Sequence, residues 1–293
     1  MLAVLLALTS AVCYGGSDFT AGLAARRAGA VRVTLAAEVA KAALVIAVVP
    51  LVSSRTPSVS SLAWGTAAGV GGVAGLMTLN LGFRHAAFSV ASPLSALSAA
   101  AFSVLAGLLF GERPGALSLI GIALALPAIV AVSASADQGT TDCRPDAAAR
   151  SIGRHATGVL YGLAAGAGFG LALIGLNRAG SASDLWPLAA AELASVLTAV
   201  GIAVITREFG MPPPGTRWLP VLSGSIAAAG IFSYFLATHL GLLAVTAVIY
   251  SLFPAGTILL ARIVLREQLT AIRIIGLCLA AASVGLIAVS GAR

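Results

Sequence analysis

The sequence predicts an all-α membrane protein with ten transmembrane helices, arranged as two inverted five-helix repeats around a central cavity. The first observation is composition: 59% of the 293 residues are hydrophobic, only 9% are charged, and the mean hydropathy is +1.03. A soluble domain is only about half apolar. The second is that the apolar residues fall into runs near the ~20 residues that a helix needs to span a bilayer. The third is that the later runs repeat features of the earlier ones.

The apolar runs are interpreted as helices because lipid cannot satisfy free backbone groups, and because the runs lack the alternation of barrel strands. The first run could instead be a signal peptide, but it has no basic start and continues past Cys13 to Ala24, which favours a retained helix. In chain order, the predicted spans are residues 2–24, 33–52, 61–83, 87–110, 116–135, 157–177, 185–206, 218–238, 242–265 and 271–290.

An internal repeat relates the two halves of the chain. A polar stretch separates five spans from five, which gives a first repeat, an inter-repeat loop and a second repeat at residues 1–136, 137–155 and 156–293. A shift of 155 residues superposes LLFGERPGALSLIG on IVLREQLTAIRIIG, placing Glu112 on Glu267 and Gly121 on Gly276. With five spans per repeat, the second copy enters the membrane from the opposite side. Such inverted repeats are typical of secondary transporters, with a substrate site near the midplane.

Two motifs resemble those of a known family. The stretch GSDF, residues 16–19, resembles the GSNF-type signature of EamA-type proteins, with Asp18 where an asparagine is more usual; the second half lacks this element. The stretches GERPGALSLIG and REQLTAIRIIG resemble the GE(R/K) boundary between the fourth and fifth helices of each half. Over nearly its whole length, the chain is thus similar to the EamA branch of the drug/metabolite transporter superfamily. The resemblance implies ten helices in two inverted halves, and export or exchange of small metabolites, such as amino acids, or of drugs.

Four ionisable side chains lie inside the predicted spans: Asp18, Glu38, Lys41 and Glu192. Each costs ~2.5–3.5 kcal/mol at membrane depth, so such groups normally face a bundle interior or a wet cavity. Glu38 and Lys41 share one helix face and form either a structural ion pair or part of the cavity wall. Glu192 lies one residue from the repeat image of Glu38, so the two carboxylates are expected to approach each other. Such a pair disfavours double ionisation, which suits a proton-coupled site.

Asp18 lies about a turn and a half from the end of its predicted span. Its side chain either reaches toward Arg26 and Arg27 or points into the cavity. Tyr14 is one turn earlier on the same helix face, where it either lies beside Asp18 in the cavity or packs in the core.

The remaining candidates are polar or helix-breaking residues within the spans. Asn80, Asn177, Tyr234 and Tyr250 could contact a substrate, although helix-to-helix bonding or core packing is the commoner use of such residues. Pro93 and Pro254 are expected to interrupt the fourth and ninth helices and to act as hinges.

The sequence gives no support for several other classes of protein. The basic residues form no patch interleaved with aromatics, so nucleic acid is not an expected partner. There is no HExxH, P-loop or GxSxG motif, and the three cysteines form no CxxC pair, so no enzyme activity, metal or cofactor is expected. Without a P-loop, uphill transport would draw on an ion gradient or on exchange.

These observations predict a secondary transporter, most simply an exporter, in the cytoplasmic membrane of a prokaryote. The expected partners are a small-molecule substrate and the lipid bilayer, and the chain is expected to be a monomer or a homodimer. The predicted mechanism is alternating access by rocking of the two repeats, with Asp18, Glu38 and Glu192 as polar or protonatable cavity residues. The alternatives are a facilitator or exchanger without proton coupling and, in a third class, a channel or a passive structural protein.

Two arguments about membrane orientation disagree. The predicted spans place twelve arginines at one membrane face. The other face, which holds both termini, has four: Arg55, Arg113, Arg178 and Arg293. The positive-inside rule would therefore put both termini outside the cell. The family resemblance implies cytoplasmic termini, and this is the orientation that we expect.

Overall fold

A computed structural model describes residues 1–85, 88–133, 145–180, 184–264, 266 and 270–290. Every regular element in these ranges is helical, as predicted. The α-helices are α1 (Leu2–Ala28), α2 (Ala30–Val52), α3 (Val59–His85), α4 (Phe88–Leu109), α5 (Ala116–Ser133), α6 (Pro145–Arg178), α7 (Trp186–Ile205), α8 (Trp218–Leu240), α9 (Leu243–Tyr250), α10 (Phe253–Val264) and α11 (Ala271–Ser290), with a short 3-10 helix at Pro214–Thr216.

The helices agree with the predicted spans. Within the described residues, eight helical segments are long and apolar enough to cross a membrane, and two shorter apolar helices, Leu94–Leu109 and Ala116–Val132, complete the set. Long side chains such as Leu5, Leu197 and Ile263 remain exposed on the outer surface, as expected of a lipid-facing wall. The protein is therefore a multi-pass membrane protein.

The polar loop predicted at residues 137–155 is shorter than expected, because α6 already begins at Pro145. The sequence after this proline, DAAAR, consists largely of strong helix formers, and proline itself is favoured at the first position of a helix.

The two predicted proline breaks have different outcomes. The ninth span is divided as expected: α9 ends at Tyr250 and α10 begins at Phe253, so Pro254 occupies the second position of α10, where its missing N–H costs little. The expected break at Pro93 is wrong, because α4 continues through that position. Pro93 lies near the start of α4 and removes a single backbone bond, a loss that membrane helices tolerate. Its side chain lies outside the described residues.

Helix packing follows the internal repeat. α3 packs against α6 as α8 packs against α1, and α3 packs against α7 as α8 packs against α2. α4 contacts α6, and the equivalent contact is made by α9 and α10 together with α1. Three helices also contact their own counterparts in the other half: α5 with α11, α2 with α7, and α4 with α9. This reciprocal pattern is that of a two-fold axis exchanging α1–α5 with α6–α11.

The repeat-motif glycines show the same symmetry at the crossing of α5 and α11. A Cβ atom on Gly121 would lie 2.6 Å from Cγ1 of Ile287, and one on Gly276 would lie 2.6 Å from the backbone nitrogen of Val132. Gly276 lies 155 residues after Gly121, and Ile287 lies 155 residues after Val132. Each glycine therefore permits the same close approach of the two helices. Glu267 lies outside the described residues, so its predicted placement opposite Glu112 stays a prediction.

A second pair of contacts is related in the same way and reaches the centre of the molecule. A Cβ atom on Gly75 would lie 3.0 Å from the ring of Phe169, and one on Gly230 would lie 2.9 Å from the ring of Tyr14. Phe169 again lies 155 residues after Tyr14, and Gly230 lies 155 residues after Gly75. Both rings therefore pack on a glycine of the opposite half.

Candidate functional site

A cavity of about 640 Å³ lies on this two-fold axis. Its wall contains image pairs such as Tyr14 with Phe169 and Leu79 with Tyr234, so both halves contribute equivalent positions. The volume is that of a site for a small organic molecule. The cavity is therefore in the place that an inverted-repeat transporter uses for its substrate.

The cavity extends toward one end of the bundle, which we call the open end. Its wall includes Ala25 near the end of α1, Ala30 at the start of α2 and Arg273 at the start of α11. Gly29 makes the one-residue turn between α1 and α2 there, with a φ of 78° that L side chains rarely adopt. The opposite end, which we call the closed end, holds the α2–α3, α4–α5, α6–α7 and α8–α9 connections. None of the described residues in these connections lines the cavity.

An ion-pair cluster forms the inner wall of the cavity. Lys41 Nζ lies 2.8 Å from Glu38 Oε2 and 3.4 Å from Glu192 Oε2. The side chains are 10%, 12% and 1% exposed, respectively, and all three residues line the cavity. One ammonium group thus lies between two carboxylates from α2 and α7, the helices that contact each other across the axis. The expected approach of Glu38 and Glu192 is observed, with Lys41 between them.

Glu192 has an unmet hydrogen-bonding requirement. It is fully buried, and its Oε1 atom has no hydrogen-bond partner among the described residues. A buried carboxylate without donors is costly, since each unmet polar group loses about 1–3 kcal/mol or more. The arrangement therefore favours a bound proton or a donor group supplied by a ligand.

Asp18 lines the cavity and is exposed, which places its side chain in the cavity instead of in packed protein. The Tyr14 ring, on the same face of α1, stands edge-on to the Tyr250 ring with 5.0 Å between centroids. Tyr234 follows at 5.2 Å from Tyr250. The three tyrosines, all in the cavity wall, form one continuous aromatic row beside the carboxylates.

The structure places the two asparagines differently from the tyrosines. Asn177 donates to the backbone oxygen of Thr238, 3.2 Å away, and to its Oγ1, 3.0 Å away, so its amide joins α6 to α8 and does not line the cavity. The side chain of Asn80 lies outside the described residues.

Several cavity residues were missed by the sequence analysis. Ser17 and Ser223 line the wall and are 2.9 Å apart through their Oγ atoms, joining α1 to α8. Thr257 also lines the wall and donates to the Gly15 carbonyl, 3.2 Å away. Small hydroxyl residues are common in membrane helices, where many bond to their own backbone. The position of Ser17 next to Asp18 is the signal that could have indicated it.

The closed end is held by contacts between the two halves. The Glu112 carboxylate accepts hydrogen bonds from the backbone N–H of Leu243 at 2.6 Å and of Ala244 at 2.9 Å. Glu112 thereby caps the N-terminus of α9, a helix of the other half. The Arg178 guanidinium lies 4.6 Å from the centroid of the Phe110 ring.

A second carboxylate joins the α2–α3 and α6–α7 connections at this end. Asp184 Oδ2 accepts hydrogen bonds from the backbone N–H groups of Arg55 and Ser54, both at 3.0 Å. These bonds hold the pKa of Asp184 below its usual range. The Trp186 indole N–H also donates to the Arg55 carbonyl.

Comparison with known proteins agrees with this architecture. Residues 156–289 match the model of the EamA-like transporter family. A solved structure described as "Crystal structure of protein" superposes with a TM-score of 0.73 and 19% sequence identity, covering 97% of this chain and 95% of that chain. At that identity, the likeness shows the fold alone. No curated protein matches the sequence significantly.

A ten-span helical bundle with reciprocal halves and a one-sided polar cavity has the architecture of a membrane transporter. The match of residues 156–289 to the EamA-like transporter family supports the resemblance to EamA-type proteins of the drug/metabolite transporter superfamily that the sequence predicts. This is a family of membrane transporters, not of enzymes.

Proposed function

We propose that the protein is a secondary active transporter that exports small metabolites or drugs across the cytoplasmic membrane by alternating access. The observation that carries this proposal is the cavity on the two-fold axis, open at one end, closed at the other and lined by buried charges. In an inverted repeat, each half can adopt the conformation of the other. Rocking of residues 1–136 against 156–293 would therefore produce a second state with the two ends exchanged.

The movement requires the closed end to separate and the open end to come together. At the closed end, the halves are joined by the polar contacts of Glu112 and Asp184 and by apolar packing that includes Val49, Leu176 and Leu243. The polar contacts suit an interface that forms and breaks. The division between α9 and α10 supplies a flexible point beside the cavity, and we assign the hinge role to Pro254 and its neighbours. Pro93, in the continuous helix α4, is the weaker hinge candidate.

Proton coupling is supported by the charges of the inner wall. Lys41 carries one positive charge and can neutralise one carboxylate. Glu38 and Glu192 both contact it, and Asp18 lies in the same cavity, so the carboxylates outnumber the ammonium group. Holding an excess negative charge at membrane depth is unfavourable, so a proton or a substrate group must compensate it. Competition between the two for the same carboxylates would couple proton entry to substrate exit.

An uncoupled facilitator or exchanger is the second candidate, because the same carboxylates could only bind substrate. Transport by purified protein in proteoliposomes, measured with and without an imposed pH gradient, separates the two. Coupled transport accelerates with the gradient and accumulates substrate; uncoupled transport only equilibrates it.

The Glu192→Gln variant tests the role of the inner carboxylate. We expect a loss of gradient-driven transport of about tenfold or more with folded protein at wild-type yield, because glutamine cannot exchange a proton. Lys41→Met serves as the companion variant: it leaves two buried carboxylates without their shared counter-ion, so transport is expected to survive only if the carboxylates take up protons in its place. Wild-type, gradient-dependent rates in Glu192→Gln at matched reconstitution would contradict proton coupling through this residue.

A further inference from the structure

We infer that the cavity selects amphiphilic organic cations, whose ammonium group is held by Asp18 and Glu192 beside the rings of Tyr14 and Tyr250. This inference rests on the proposed function, because it names the substrate class of the same cavity. Four features of the wall support it.

The first feature is the balance of charge. The inner cavity carries three carboxylates, those of Asp18, Glu38 and Glu192, and one ammonium group, that of Lys41. Lys41 already contacts two of the carboxylates. Arg273, the other cation among the described wall residues, lies at the open end and has an interaction of its own. An anionic substrate would therefore enter a region of excess negative charge, whereas a cation would neutralise it.

The second feature is the unpartnered oxygen of Glu192. Its side chain is 1% exposed, it belongs to the cavity wall, and Oε1 accepts no hydrogen bond from the part of the chain that the structure describes. A buried acceptor of this kind needs a donor. A protonated amine supplies both the N–H donor and the compensating charge, and a charge-assisted bond of this kind is about twice as strong as a neutral one.

The third feature is the aromatic row. Tyr14 and Tyr250 line the same cavity as Asp18, Glu38 and Glu192, and Tyr14 lies one turn before Asp18 on the same face of α1. The edge-on packing of Tyr14 and Tyr250 presents ring surface next to the acidic groups. Ring faces attract cations, and desolvated sites gain the most from this attraction.

The fourth feature is the asymmetry between the two walls. The repeat images of Tyr14 and Asp18 are Phe169 and Leu173, which also line the cavity. The first half therefore offers charge and hydroxyl groups, and the second half offers apolar surface at the equivalent positions. A molecule with an ammonium group at one end and an apolar body at the other matches both walls.

Binding of three aromatic probes of similar size tests this inference without requiring transport. The probes are the cation 3-phenylpropylammonium, the zwitterion phenylalanine and the anion 3-phenylpropanoate, titrated calorimetrically into the purified full chain in detergent at constant ionic strength. We expect 3-phenylpropylammonium to bind at least tenfold more tightly than either other probe. Asp18→Asn should weaken its binding about tenfold or more, as expected for loss of a charged partner.

Tyr14 variants separate the ring from the hydroxyl group. Tyr14→Leu is expected to weaken 3-phenylpropylammonium binding about fivefold, whereas Tyr14→Phe keeps a ring face and stays within about twofold of wild type. Glu208→Gln is the matched control, because it removes a carboxylate that does not line the cavity. Its binding should equal that of wild type. Thermal unfolding establishes that each variant is folded. If Asp18→Asn does not fold, Tyr250→Leu replaces it, and this variant is expected to lose as much affinity as Tyr14→Leu.

The inference is overturned if 3-phenylpropylammonium does not bind the wild-type protein, if phenylalanine or 3-phenylpropanoate binds as tightly, or if Asp18→Asn binds the cation unchanged. Those results would leave the proposed function standing, because a transporter can carry a zwitterion or an anion. Failure of the proposed function has a different signature: a ligand binds, yet reconstituted protein moves no substrate in either direction.

Discussion

Removal of the Glu112 carboxylate is expected to release the closed end. In the structure, both oxygens of this side chain accept backbone N–H groups at the start of α9. Glu112→Ala leaves those two donors without a partner, whereas water can reach part of the half-buried site. Two charge-assisted hydrogen bonds are lost, and water replaces part of what they contributed, so the cost is about 2 kcal/mol. This cost corresponds to roughly a thirtyfold shift toward states in which the closed end is separated.

Cysteine labelling measures this shift directly. Thr246 is fully buried one turn into α9, and cysteine is smaller than threonine and fits the same site, so Thr246→Cys reports opening of this end. In a background lacking the three native cysteines, we expect maleimide to react about thirtyfold faster when Glu112→Ala is also present. Glu208→Gln, which removes a carboxylate between α7 and α8 near the open end, is the control and should leave the rate unchanged. Equal rates with and without Glu112 would refute the assignment of this cap as a closing contact.

The remaining predictions concern packing, pH and orientation. Gly69→Ala should destabilise the protein by more than 2 kcal/mol in thermal unfolding, because its Cβ would overlap the Ala191 carbonyl, whereas Gly201→Ala, with nothing within 4 Å, should be neutral or stabilising. The bonds to Asp184, whose folded-state pKa is lowered, are fully present above its ordinary pKa of about 3.9 and are lost as pH falls through the lowered value. Hydrogen exchange of the amides bonded to Asp184, corrected for intrinsic rates, should therefore accelerate only below about pH 4, and acceleration already at pH 6 would contradict this. A reporter fused after Arg293 should fluoresce in the cytoplasm, and alkaline phosphatase activity there would instead favour the arginine count.

The spans and the repeat could be predicted because they depend on patterns that the bilayer imposes. Length and apolarity define the helices, and Gly121 and Gly276 mark the crossing where close approach is needed. The break between α9 and α10 was less predictable. Pro93 and Pro254 look alike in sequence, and only the surrounding packing decides which helix is divided.

The candidate site could be predicted where the residues carry charge. Asp18, Glu38, Lys41 and Glu192 are conspicuous because ionisable groups are expensive at membrane depth. Asn177 was misleading, since an amide that joins two helices has the same sequence appearance as one that binds substrate. The serine hydroxyls and the contact between Tyr14 and Tyr250 depend on helix rotation and on long-range packing, which no local pattern specifies.

The asymmetry of the cavity wall has a consequence for how a substrate travels. A cavity with two identical walls on a two-fold axis would accept a polar ligand in two equivalent poses of equal energy. With Asp18 opposite Leu173 and Tyr14 opposite Phe169, that degeneracy is removed, and the polar head has a single preferred partner. Under the proposed mechanism, the substrate would therefore keep one orientation while the halves rock, with its polar group toward Asp18 and its apolar part toward Leu173.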